Sequence, residues 1–322
     1  MSSTYRGTAI VLAAVAILAG CGRAQVVPTG GMTASYAAHG KSWILPGTSS
    51  GDLIYATGGC GGACVISYPS GQTADSITIS GGVGGDCSDS AGNVFIANNS
   101  QVLEYAHGGT TPIATLSLSG DNATGCAIDA TTGNLAVVYR GSGADVAVFP
   151  DAQGQPTLHS SGLDSEFCGY DGDGNLFVSG YNSDKPGLSE LPKGSGGFLT
   201  LSINGKLGNP GRVQWDGKYV TYESRTAGSV KISRLTISGS SATVVGATRF
   251  KGGVKSAYES WIYGNRIIVP YSTRGQYGNK IGVWAYPGGG KAVVRTFQKY
   301  PKNWSFQAVT VSVAPSGTRI RH

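Results

Sequence analysis

Three stretches of this chain repeat one pattern at a fixed interval. They are Cys-Ser-Asp-Ser-Ala-Gly-Asn-Val-Phe-Ile-Ala from Cys87, Cys-Ala-Ile-Asp-Ala-Thr-Thr-Gly-Asn-Leu-Ala-Val-Val from Cys126, and Cys-Gly-Tyr-Asp-Gly-Asp-Gly-Asn-Leu-Phe-Val-Ser from Cys168. Each is a short apolar piece, an Asp/Gly/Asn turn and a β-rich strand. The turn asparagines Asn93, Asn134 and Asn175 are 41 and 41 residues apart. A strand-built period near 40 is the sequence form of a propeller blade. One such unit cannot bury its own faces, so the pattern demands that several stack around an axis.

The rest of the chain can be parsed on that period. Third strands of the repeat are the easiest to follow: Val65–Pro69, Val102–Tyr105, Val146–Pro150, Leu188–Pro192, Lys231–Leu235 and Val283–Pro287, six in all. First strands fall near Cys87, Cys126, Cys168, Val213–Trp215 and Ser260–Ile262. The chain enters the repeat at Asp52-Leu-Ile-Tyr-Ala56, already a second strand, and the missing first strand lies at Ala308–Gly317. The expected fold class is all-β: a six-bladed β-propeller over residues 51–317 whose C-terminal strand closes the N-terminal blade, then a basic tail at 318–322. Closure leaves no bare end face and keeps strand edges short. Composition allows this, since 40% hydrophobic and 13% charged residues can bury a core and exclude a disordered chain. The 52 glycines exceed the roughly 23 of ordinary usage, and they cluster between apolar runs without a collagen period. Tight turns need such residues.

Ahead of the repeats, Arg6 precedes an apolar run from Thr8 to Leu18 and then Leu18-Ala-Gly-Cys21. The run is short for a membrane span and reads as a signal-peptide core. Its ending resembles the lipobox of bacterial lipoproteins. The resemblance implies a signal peptide at 1–20, acyl chains on Cys21, and a protein anchored by lipid outside the bacterial cytoplasm, at the cell envelope. Residues 21–50 are small and polar and read as a flexible tether.

The Asp-x-x-Gly-Asn repeats followed by aliphatic strands resemble NHL-type and lactonase-like six-bladed propellers over roughly Gly51–Gly317. The chain as a whole is similar to uncharacterised bacterial propeller lipoproteins, in phrases such as Glu104-Tyr-Ala-His-Gly-Gly109 and Val213-Gln-Trp-Asp-Gly-Lys218. The lactonase-like resemblance implies metal ligands on the inner strands, where a metal would activate water or polarise a carbonyl. Those strands instead carry Cys, Ser, Gly, Gln214 and Trp, so neither a metal ligand nor a cofactor is assigned. Three or more carboxylates or amides converging in the channel would restore the hydrolase or lyase reading.

Other chemistry is thin. Asp171-Gly-Asp173-Gly-Asn175 begins like a calcium loop, but Leu176 and Asn182 stand where an EF-hand needs glycine and glutamate. A hairpin turn whose aspartate accepts backbone N–H bonds is the better reading. There is no Gly-x-Ser-x-Gly elbow. His39 falls in the tether, His107 on the rim, His159 in an outer strand and His322 at the end, so no catalytic residue is assigned. Cys60 and Cys64 flank one turn and are the expected disulfide. Cys87, Cys126 and Cys168 occupy equivalent blade positions, which makes direct pairing awkward. Buried thiols, a three-thiolate metal site and a Cys64–Cys87 link stay open for them.

A binding or scaffold module is therefore expected, with a structural protein–protein domain as a further alternative. Loops after the second strands, and between blades, carry Tyr139, Arg140, Tyr181, Arg225, Tyr271, Arg274, Tyr277 and Trp304. Flat rings and guanidinium forks suit saccharide or anionic ligands. Charge is uneven: residues 1–160 sum to −5 and 161–322 to +11. Lys251–Lys302 holds nine basic residues against the single acid Glu259. The expected partners are the membrane through the lipid, and a saccharide, an anionic polymer or an envelope protein. Nucleic acid is not expected at this address, and the ring is expected to be monomeric.

Overall fold

The computed structural model describes residues 51–140, 143–226, 229–273, 278–297, 300–301 and 304–315. Cys21, the tether, Arg274, Tyr277 and the 318–322 tail lie outside them.

The described residues form six antiparallel blades, in the order expected. β1 (Leu53–Gly59), β2 (Gly62–Ser67) and β3 (Thr73–Thr78) begin the first blade. The second holds β4 (Val83–Ser88), β5 (Val94–Asn98), β6 (Gln101–Tyr105) and β7 (Ala114–Ser117). The third holds β8 (Asp121–Ile128), β9 (Leu135–Arg140), β10 (Val146–Phe149) and β11 (Thr157–His159). The fourth holds β12 (Asp164–Tyr170), β13 (Leu176–Asn182), β14 (Lys185–Leu191) and β15 (Leu199–Thr200). In the fifth, β16 (Ser202–Asn204) runs parallel to the outer strand β20 (Ser241–Arg249), beyond β17 (Asn209–Trp215), β18 (Val220–Thr226) and β19 (Ser229–Ser238). The sixth splits its inner strand into β21 (Ser256–Ala257) and β22 (Trp261–Tyr263), then continues through β23 (Arg266–Ser272), β24 (Lys280–Ala285) and β25 (Gly289–Val294). Finally β26 (Val309–Ser312) pairs with β1, Leu53 opposite Ser312 and Ala56 opposite Val309, and completes the first blade.

The Asp/Gly/Asn turns work as local caps. Asp89 accepts from Asn93 N and Nδ2 at 2.8 Å each, and Asp171 from Asn175 N at 2.9 Å and Nδ2 at 2.8 Å. Gly92 and Gly174 take φ of 92° and 86° there, a region that a Cβ disfavours. These turns all lie at one end of the inner strands, here called the turn face. The opposite end, where second strands pass into third strands, is the loop face.

Cores sit between blades. Tyr55, Leu53 and Val65 of the first blade pack on Val94, Ile96 and Tyr105 of the second, for example. Near the axis the blades touch through backbone: a Cβ on Gly169 would lie 2.1 Å from the Val213 carbonyl oxygen. That closeness corrects the cysteine expectation. Cys60–Cys64 is a disulfide as expected, but Cys87 and Cys126 also pair, with Cα atoms 5.7 Å apart. Equivalent positions on neighbouring inner strands converge toward the axis and come within bridging range. A three-thiolate site and a Cys64–Cys87 link are thereby excluded. Cys168 keeps a buried free thiol, which burial pushes well above the ordinary range. Two disulfides mark a protein of an oxidising compartment, outside the cytoplasm. His107 also departs from expectation. It is buried, its Nδ1 2.7 Å from Ser312 Oγ, and it holds the closing strand.

Candidate functional site

The axis carries polar chemistry at three levels. At mid-height, Arg212 of β17 crosses it. Its guanidinium donates to the Val309 carbonyl at 3.0 Å, to the Asp86 carbonyl, and to Glu259 Oε2 at 2.9 Å, with Asp86 Oδ1 at 3.9 Å. One side chain of the fifth blade thus ties the first, second and sixth. Beside it, Glu223 of β18 accepts from Ser260 N at 2.9 Å and Oγ at 2.8 Å. Glu259 lies so close to the second blade that a Cβ on Gly85 would sit 2.1 Å from its Oε1. Burial is the main cause that raises Glu223 and Glu259 to about 7 and Asp86 well above its ordinary value. Arg212 opposes that rise at all three.

Sequence reasoning missed this cluster. Three carboxylates do converge, the feature that would have restored the hydrolase reading, but they converge on a guanidinium. That group supplies the positive charge a metal would have supplied. Among the described residues no set of three His, Cys, Asp or Glu side chains is arranged to hold a metal ion. The available signal was faint: Arg212 and Glu223 are charges in the interior of the strands Asn209–Trp215 and Val220–Thr226.

The loop face carries the second level, and here three of the expected ligand residues meet. Arg140, Tyr181 and Arg225 stand at the ends of β9, β13 and β18, the second strands of adjacent blades. Between them lies Glu166 of β12, 4.0 Å from Arg140 and 3.7 Å from Arg225. Burial raises Glu166, and Arg225 and Arg140 oppose the rise. The Arg225 guanidinium lies over the rings of Phe167 and Tyr258, at 5.1 and 5.2 Å, and its Nε donates to the Pro210 carbonyl. Two aromatic contacts and that hydrogen bond restrain the guanidinium. Tyr181 feels the same charges: burial raises its hydroxyl, and Arg225 opposes this.

The other expected residues that the structure describes lie elsewhere. Tyr139 is buried against the second blade, its hydroxyl 3.1 Å from Ser119 Oγ. Tyr271 is buried edge-on against Trp284 at 5.3 Å and donates to the Arg295 carbonyl. Trp304 is half-buried and stacks on Tyr300 at 5.9 Å.

The third level is a funnel of about 240 Å³ on the turn face. Trp215, Trp261, Tyr170, Cys126 and Cys168 line it, and Arg212 reaches it from the middle level.

No family model matches the chain, and no curated protein matches it. Solved structures do. One from Bacteroides caccae, titled a protein of unknown function, has a TM-score of 0.61 at 11% identity, over 81% of this chain and 99% of that one. A chain in a nidogen/laminin complex gives 0.59 at 12% identity, over 82% and 99%. A putative TolB from Agrobacterium tumefaciens gives 0.55 at 14% identity, over 82% and 99%. At such identities the likeness is one of fold: this chain is a six-bladed β-propeller.

Proposed function

We propose that the chain is a binding module of the cell envelope, anchored through lipid on Cys21, whose loop face holds acidic ligands such as carboxylate- or phosphate-bearing polymers. The observation that carries this reading is Arg225, restrained by the rings of Phe167 and Tyr258 and met by Glu166 only at 3.7 Å. That separation is too long for a strong bidentate pair. An incoming carboxylate or phosphate offers the guanidinium a closer partner than Glu166 does, and Arg140, 61% exposed in its side chain, adds a second charge. The sixth blade supports the same ligand class. Its acid Glu259 is turned into the axis, while Lys251, Lys255, Lys291 and Arg295 are exposed.

The experiment is calorimetric titration with polygalacturonate and, as the uncharged control, a neutral glucan. Binding of the acidic polymer alone is expected, weakened about tenfold by Arg225→Gln, or ~1.4 kcal/mol. Equal affinity for both polymers, or an unchanged affinity in Arg225→Gln, overturns the reading.

A further inference from the structure

The funnel on the turn face is separate from the loop-face cluster, and the middle level lies between them. Its walls are set rigidly. Gln214 spends both ends of its amide on the sixth blade, donating to the Ile262 carbonyl at 2.9 Å and accepting from Ile262 N at 2.8 Å. That clamp fixes the inner strands that carry Trp215 and Trp261. Gly172 lets the Trp215 indole lie over the fourth blade's turn, since a Cβ there would come 2.9 Å from Nε1. Both indoles remain partly exposed. Two indoles and Tyr170 around about 240 Å³ make a slot for one flat ring, below the usual size of a drug-sized pocket.

Two charged side chains line the funnel, Asp171 and Arg212. Asp171 is consumed by its own turn, accepting from Asp173 N at 3.0 Å and from Asn175. Arg212 lies over the Trp261 ring at 4.8 Å. Its bonds to Val309, Asp86 and Glu259 use three of the five N–H groups of a guanidinium. We propose that the funnel binds a small aromatic carboxylate, its ring between Trp215 and Trp261 and its carboxylate on Arg212.

The charge balance dictates how such a ligand binds. Arg212 already faces Glu259 and Asp86 across the axis, with Glu223 of β18 behind, and the Arg225 charge of the same strand also acts on both glutamates. On the funnel side the titratable neighbours are Asp171, Tyr170 and the Cys168 thiol of β12. A further carboxylate on one guanidinium is accommodated when Glu259 takes up a proton and releases its share of Arg212. Binding and proton uptake are thus linked, and affinity falls as pH rises through the range where Glu259 loses that proton.

The test titrates the purified protein with benzoate and with benzyl alcohol, its uncharged analogue, at pH 6 and pH 8. Tryptophan emission and calorimetry are the readouts. Saturable benzoate binding is expected, up to about tenfold tighter at pH 6 than at pH 8, the limit for one proton on a group near 7, with benzyl alcohol at least tenfold weaker. Ala130→Phe, at an exposed rim position of the funnel, should cut benzoate affinity tenfold without moving the melting temperature. Arg140→Gln, on the other face and not among the charges acting on Glu259, should leave it unchanged, which separates this site from the loop-face reading. Absence of saturable benzoate binding, equal affinity for benzyl alcohol, pH-independent affinity, or full binding in Ala130→Phe overturns the proposal.

Discussion

Arg212 holds one positive charge among Asp86, Glu223 and Glu259, where Oε1 of Glu223 finds no hydrogen-bond donor among the described residues. Burying a charge is costly unless it is paired, so the carboxyls gain by keeping their protons. The sign of the pH effect follows. Glu223 and Glu259 are raised from 4.5 to about 7, so the folded state holds protons that the unfolded chain has released. Their contribution is complete below the ordinary glutamate value and is lost as pH rises through about 7. Urea denaturation should show stability falling between pH 5 and pH 8, by on the order of 3 kcal/mol per group as an upper bound. Glu259→Gln should flatten that slope, and a stability that instead rises over the range refutes the account. None of this was legible in the sequence. Arg212 and Asp86 are 126 residues apart, and their meeting depends on ring closure rather than on any local pattern. The turn aspartates were legible because Asp171 and Asn175 satisfy each other within one turn.

At the scale of strands, the two disulfides do unequal work. Cys60–Cys64 spans 4 residues within one blade, whereas Cys87–Cys126 spans 39 and joins two inner strands. Loop-closure entropy grows with the logarithm of loop length, giving about 2 kcal/mol for the short link and about 4 for the long one. The double variant Cys87→Ala, Cys126→Ala should therefore lose ~2–4 kcal/mol in chemical denaturation, and more than the Cys60→Ala, Cys64→Ala pair. The reverse order would show that strain or residual structure outweighs closure entropy. The blades themselves were legible, because each is set by a local alternation of apolar and turn residues. The long disulfide was not: equivalence along the chain says nothing of how steeply inner strands converge, and that convergence needs glycines such as Gly169 at specific contacts.

Over the whole molecule, charge is sorted by sector. The first three blades are acidic, while the last turns its acid inward and keeps lysines and arginines outside. Such a sector raises the local concentration of anionic partners, and salt screens it over roughly 8 Å at physiological ionic strength. Protein lacking residues 1–21, and so lacking the proposed lipid site at Cys21, should still co-sediment with anionic vesicles at low salt and be released as salt rises. It should not sediment with neutral vesicles. Replacing Lys291 and Arg295 with Gln should weaken the interaction about five- to thirtyfold, at ~0.5–1 kcal/mol per charge. Equal sedimentation with both vesicle types would reduce the sector to ordinary solubilising charge.

The pairing of β1 with β26 also sets a direction. β1 runs from the turn face to the loop face, and β26 runs back beside it, Leu53 opposite Ser312. Ala314 N then donates to Asp52 Oδ1 at 2.9 Å, so the chain enters and leaves the ring at the same edge. Any pull on the N-terminal segment is therefore applied to the turn face.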